Sequence, residues 1–277
     1  MMMPKDLMLS DNSRFRIIHP VFEFTQNSLS AYCHSIAISL AASANLDLVI
    51  LKEKSQIPHV RTILENWGLL PLNSSHSDVG KLGISITKII QKGDKEKIIT
   101  HRLNKHKYDL LVLDINSNKN INILNKDIAK YISKKFRQTT LYIPLESKGF
   151  IDQKTGKIKI KKIIVPIKDE IFAINSLEFL YKFLSAIKIT NPQITTLHCG
   201  KEFPFISNKY FYNTPLTKIC INQDVVNGII LKSLEFDADL IVMATKGRNT
   251  ITRKLIGTTT EKVIRKSPCP ILSVPIY

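Results

Sequence analysis

Short apolar runs alternate with longer amphipathic stretches along the whole chain, and this alternation predicts its elements. Phe15 to Val21 reads as a strand, Asn27 to Ala44 as a helix rich in Ala, Ile and Leu, and Leu46 to Leu51 as a second strand. Pro58 to Trp67 is a short helix, Gly83 to Ile89 a third strand, and Asp94 to Lys107 a charged helix. Leu110 to Leu113, a helix over Leu124 to Phe136, and Thr140 to Ile143 complete the set. Strands that alternate with helices argue for βαβ units, in which helices cover both faces of a parallel sheet.

The pattern then repeats. Arg16–Ile17–Ile18–His19–Pro20 matches Lys162–Ile163–Ile164–Val165–Pro166, a basic residue followed by an apolar strand and a Pro. Tyr108–Asp109 and the apolar run to Leu113 match Ala238–Asp239 and the run to Met243. Thr140 to Pro144 resembles Pro270 to Pro275 in character. Three matches in the same order define a tandem repeat, with a shorter second copy beginning at Lys161.

In that copy, Leu177, Leu180, Leu184 and Ile187 fall on one face of a helix over Phe172 to Ile187 and belong to the core. Gly200 to Pro215 lacks a helical period and reads as a loop whose aromatics, Phe203, Phe205 and Tyr210 to Tyr212, pack over the sheet edge. Ser147 to Ile160 reads as the linker, and Asp152 to Gly156 suits a tight hairpin turn. The expected organisation is a degenerate first domain over 1–146, a linker over 147–160, and a second domain over 161–277. The last strands of the two copies, near Leu141 and Ile271, are the expected contact between them.

The chemistry concentrates after Asp237. The apolar run Leu240 to Met243 opens into a loop with Gly247, and nine residues later Gly257 is followed by Thr258, Thr259, Thr260 and an amphipathic helix. A strand that opens through glycines into a helix N-terminus suits phosphate, because free backbone N–H groups and the helix dipole converge there. Lys246, Arg248, Arg253 and Lys254 lie in or beside that loop and can neutralise phosphate charge. The pattern resembles the nucleotide-binding branch of the universal stress protein family. That family's fingerprint is Gly, two residues, Gly, nine residues, Gly, then Ser or Thr. Here those positions are Ala244, Gly247, Gly257 and Thr258, so the spacing is kept and Ala replaces the first Gly.

The resemblance implies two tandem open, parallel five-stranded sheets with helices on both faces. This is the Rossmann-like, adenine-nucleotide alpha-hydrolase-like architecture of the α/β class. It also implies a nucleotide-binding set of Ile167, Lys168, Asp169, Cys199, Met243, Ala244, Gly247, Arg248, Gly257, Thr258, Thr259 and Thr260. The family's nucleoside-contacting Asp corresponds to Lys168, or to Asp169 after a one-residue slip, and both alignments stand. Thr196–Leu197–His198–Cys199 is similar to the family's second strand, which places the Cys199 backbone against adenine. The implied ligand is ATP or AMP, with Mg accompanying ATP. In the first copy the loop from Asp114 to Asn118 has no Gly, and Asp127–Ile128 replaces the Gly-Thr corner. A carboxylate at either place repels phosphate, so that copy is expected to be structural.

Composition narrows the alternatives. The net charge is +17, with basic residues spread through both halves of a chain of 277 residues also rich in Ile and Asn. No nucleic-acid motif accompanies the charge, so a basic nucleic-acid-associated protein ranks last among the alternatives. The four cysteines, Cys33, Cys199, Cys220 and Cys269, form no CxxC pair. With no long apolar run and no secretory leader, the expectation is a cytoplasmic protein without a membrane partner. No nucleophile–base pair, metal cluster or paired catalytic carboxylate emerges, so no catalytic residue is assigned and ATP hydrolysis is expected to be weak at most. The expected role is stress response through nucleotide-dependent regulation, with an intrachain pseudo-dimer and room for a homodimer. A nucleotide-free scaffold of the same fold is the competing class.

Overall fold

The computed structural model describes residues 14–22, 24, 28–51, 57–115, 137–206, 216–246 and 258–276. The helix expected over 124–136 lies outside them. Ten strands form one sheet: β1 (Arg16–Val21), β2 (Asn45–Ile50), β3 (Ser85–Ile90), β4 (Leu110–Ile115), β5 (Thr140–Pro144), β6 (Lys162–Pro166), β7 (Gln193–Cys199), β8 (Leu216–Ile221), β9 (Leu240–Lys246) and β10 (Ile271–Ile276). The helices are α1 (Leu29–Ala41), α2 (Val60–Asn66), α3 (His76–Lys81), α4 (Lys95–Lys105), α5 (Glu170–Ala186), α6 (Val225–Glu235) and α7 (Thr258–Lys266). β8 and α6 fill a stretch that the periodicity does not mark as separate elements.

The strand order is β3-β2-β1-β4-β5-β10-β9-β6-β7-β8, so the second five mirror the first five. Every pairing within each five is parallel. The two sets meet through β5 and β10, which pair antiparallel with Leu141 opposite Leu272. Both strands are buried, and burying a Leu side chain contributes roughly 2 kcal/mol. Two expected parallel sheets therefore form one continuous sheet. The expected contact near Leu141 and Ile271 is this pairing.

The repeated Asp explains why both copies start alike. Asp109 Oδ2 accepts the Arg16 N–H at 3.0 Å, and Asp239 Oδ2 accepts the N–H groups of Lys161 and Lys162 at 2.7 and 2.9 Å. Each Asp thus satisfies backbone donors at the start of its copy's first strand. Asp109 also pairs with Lys182 on α5 at 3.1 Å, tying the two halves together.

The linker is a docked hairpin. Ile151 bridges Ile158, and the Gly156 N–H donates to Asp152 O at 2.8 Å. At Gly156, φ is +69°, and an added Cβ would lie 2.4 Å from the Trp67 ring, so turn geometry and close packing both require glycine. Phe150 is buried edge-on against His34, with ring centroids 4.6 Å apart. The Phe150 N–H donates to His34 Nε2 at 3.1 Å, which fixes Nδ1 as the nitrogen that donates to Ser30 O at 2.6 Å. Burial without an ionic partner drives the His34 pKa down to about 4. Among the aromatics expected over the sheet edge, Phe203 packs against the core, whereas Phe205 is exposed because no element covers it among the described residues. Tyr210 to Tyr212 lie outside the described residues.

Candidate functional site

In each half the chain reverses its direction of sheet growth once. The crevice at such a point, outside the carboxyl ends of the strands, is where open α/β sheets hold ligands. In the second half it lies between β6 and β9, where Ile163 pairs with Leu240 and Ile164 with Ile241. Continuing that register places Ile167 opposite Ala244. Ile167, Met243 and Ala244 are buried at this end of the sheet, and Cys199 ends β7 beside β6.

The two residues that align with the family's acidic contact differ in setting. Lys168 is exposed. Asp169 caps α5, and its Oδ1 accepts the Phe172 N–H at 3.2 Å. A cap that satisfies an otherwise unpaired helix donor fixes this carboxylate at the crevice rim. His198 does not face the crevice as a ligand. Its Nδ1 is 3.0 Å from Ile167 O, where its N–H ties β7 to the segment after β6. Cys199 is half-buried with Sγ 3.9 Å from Val225 O, and its thiol pKa is raised by burial and then by Asp224 and Cys220.

Beyond Ala244, β9 continues through Thr245 to Lys246, whose Nζ lies 5.6 Å over the Phe172 ring. Gly247, Arg248 and Gly257 lie outside the described residues, as do Arg253 and Lys254. Helix α7 begins at Thr258, with Thr259 half-buried and Thr260 buried in its first turn. The structure thus brings together one end of the expected set, Ile167 to Asp169, Cys199, Met243 and Ala244, and starts a helix at the Thr258 corner.

The first half has the same crevice with different contents. Ile17 pairs with Leu110 and Ile18 with Leu111, which puts Asp114 at the position equivalent to Ala244, and His19 at that of Val165. The sequence pattern puts Asp114 in a loop, but the strand continues through it to Ile115. Its Oδ2 accepts from Ser28 Oγ at 3.1 Å. His19 Nδ1 lies 3.0 Å from Val112 O. Burial lowers the His19 pKa and raises that of Asp114, and each partially offsets the other's shift. This crevice therefore carries a buried imidazole and a half-buried carboxyl. These two side chains, where the second half has Val165 and Ala244, distinguish it from the second. The aligned repeat carries the signal, since Asp114 falls opposite Ala244 there, but the strand's true end is not legible in it.

These observations define a tandem α/β protein with crevices at mirrored switch points, where Asp114 in the first half stands at the register position of Ala244 in the second. Residues 212–275 match the model of the universal stress protein family. A Staphylococcus saprophyticus protein named as a putative universal stress protein is 44% identical over 49 residues, which is 17% of this chain and 29% of that protein's length. A universal stress protein from Archaeoglobus fulgidus has a similar fold, with a TM-score of 0.62 and 14% identity over 95% of this chain and 98% of its own. A Pseudomonas aeruginosa protein of unknown function gives 0.61 at 13% identity, covering 96% of this chain and 93% of its own. The cytoplasmic domain of a prokaryotic cation chloride cotransporter gives 0.53 at 12%, covering 94% and 95%. The last three establish likeness of fold.

Proposed function

We propose that the second crevice binds an adenine nucleotide, ATP or AMP, and that occupancy regulates the protein without substantial catalysis. The observation that supports this most is the contrast at one register position. Where the first half carries the Asp114 carboxyl, the second carries Ala244, on a strand leading to the Gly247 and Gly257 motif. Adenine would lie against the strand ends at Ile167, Cys199 and Met243. Phosphates would lie at the start of α7, where the first-turn N–H groups have no partner within the helix. Among the described residues no group of three or more His, Cys, Asp or Glu could hold a metal ion. Magnesium, in this reading, arrives with ATP and is held by its phosphates.

The reading treats residues 1–146 and 161–277 as two domains, joined by the hairpin over 147–160, with the β5–β10 pair in the place of a dimer contact. Action in the cytoplasm belongs to the same proposal. It is tested by calorimetric titration of the purified protein with Mg-ATP, repeated on Gly257→Val. Saturable binding that the substitution abolishes is the expected result. No heat from either protein would overturn the nucleotide reading.

A further inference from the structure

We propose that the outer edge of β3 is a docking site for an extended acidic peptide, which adds to the sheet as an eleventh strand. β3 is the terminal strand of the sheet and pairs with β2 alone among the described residues. Parallel strands use both backbone groups of alternate residues toward one neighbour. The N–H of Ser85 donates to Ala44 O at 3.3 Å, and that of Gln91 to Ile50 O at 3.1 Å. Counting by twos between them, the odd-numbered residues face β2. The N–H and C=O groups of Ile86, Lys88 and Ile90 therefore face outward.

A groove of about 740 Å³ runs along this edge. One wall is the strand itself, from Ile84 to Lys88, and the other is formed by Val60 and Arg61 on α2 with Val79 and Gly80 on α3. Leu48 and Tyr32 form its apolar floor. A Cβ added at Gly80 would meet nothing within 4 Å, so the groove is open there. Strand, groove and opposing helix together form the arrangement in which a peptide gains affinity from main-chain hydrogen bonds and selectivity from alternate side chains.

The charge on the groove identifies the occupant. Among the described residues its basic lining is His59, Arg61 and Lys88, and no Asp or Glu lines it. Arg61 is partly engaged, 3.6 Å from Glu65 and donating to Ser74 O at 2.9 Å, and lies at the helix wall. Lys88 shares a strand face with Ile86 and Ile90, and Ile90 is 57% exposed. A peptide that alternates aliphatic residues with carboxylates would set the former on the apolar floor and the latter beside Arg61 and Lys88. Edge lysines also discourage like strands from pairing, which disfavours a second copy of β3 as the occupant.

The test is fluorescence anisotropy on the full-length protein with a labelled peptide of about eight residues alternating Glu and Val, against its Lys and Val counterpart. The acidic peptide should bind at least about tenfold tighter at low salt. Lys88→Pro removes one outward N–H without touching the pairing to β2, and Gly80→Leu fills the groove. Each should weaken binding by about tenfold or more. Hydrogen exchange should slow at the Ile86, Lys88 and Ile90 amides when peptide is bound. Equal affinity for both peptides, no binding of either, or full binding to Lys88→Pro would overturn the proposal. So would self-association of the protein that Lys88→Pro abolishes, because the occupant would then be a second copy.

Discussion

The two crevices share one framework and differ in what fills them. In the first, His19 and Ser28 are buried and Asp114 is half-buried, so the crevice is lined with polar side chains. In the second, the apolar Val165 and Ala244 occupy the matching positions, and Asp169 is held at the rim as the cap of α5. The side chain at one register position thus changes the character of the crevice without disturbing the sheet. Taking a carboxyl partly out of water is costly unless it finds partners, and the first half provides them from its own β1 and from the segment that starts α1.

The largest expected effect comes from moving that carboxyl into the second half. Ala244→Asp should abolish nucleotide binding, and without a partner for its carboxyl it should destabilise the fold by roughly 3 kcal/mol. Adding Val165→His should recover part of the stability and none of the binding. Urea titration of the single and double variants, alongside nucleotide titration, separates the two effects. Full nucleotide binding by the double variant would break the proposed equivalence of the crevices.

Next comes proton sensitivity, which the comparison assigns to the first half. His34 has its pKa lowered to about 4, and His19 is also lowered, in both cases chiefly by burial. The unfolded chain takes up protons near the ordinary histidine pKa, while the folded imidazole refuses them until about 4. Stability from this source is therefore present above about pH 6.5 and is lost as pH falls toward 4, by roughly 3 kcal/mol for His34. Asp114 acts in the opposite sense, because its raised pKa lets the folded state take up a proton early. Urea midpoints measured across that range should fall with acid, and His34→Gln should flatten the fall while lowering stability at neutral pH.

Much of this architecture is legible in the order of residues alone. The repeated strand motifs predict two like parallel units, though not their union in one sheet, and the linker's Gly156 marks its turn. The shared Asp109 and Asp239 are visible as a match, but not as backbone acceptors. Other features depend on tertiary context. β8 reads Leu216 to Ile221 with Lys218 and Cys220 exposed on an edge, so its burial pattern is faint. α1 is buried almost throughout although it carries Ser30, His34, Ser35 and Ser39. Ser35 and Ser39 turn their hydroxyls back onto helix carbonyls, and His34 bonds to the hairpin, so polar residues serve there as core. The end of β4 is misplaced by the pattern for a related reason. Asp114 reads as a loop residue until His19 and Ser28 are seen beside it.

Two smaller effects sharpen the comparison. Ala244→Gly completes the Gly-spaced fingerprint and should tighten nucleotide binding by several-fold, about 1 kcal/mol, in the same titration. Lys182→Ala removes the partly exposed pair with Asp109 that joins the halves, and solvent screening should hold the loss below about 1 kcal/mol by thermal melting. A large loss from that variant would mean that the halves depend on this contact more than on the β5–β10 pairing.

The most direct measurement is the number of nucleotide sites per chain, counted by equilibrium dialysis with radiolabelled ATP. One site per chain, absent from Ala244→Asp and unchanged by Asp114→Asn, is the result expected if the second crevice binds nucleotide and the first does not. Two sites, none, or one site lost on Asp114→Asn and kept in Ala244→Asp would contradict it.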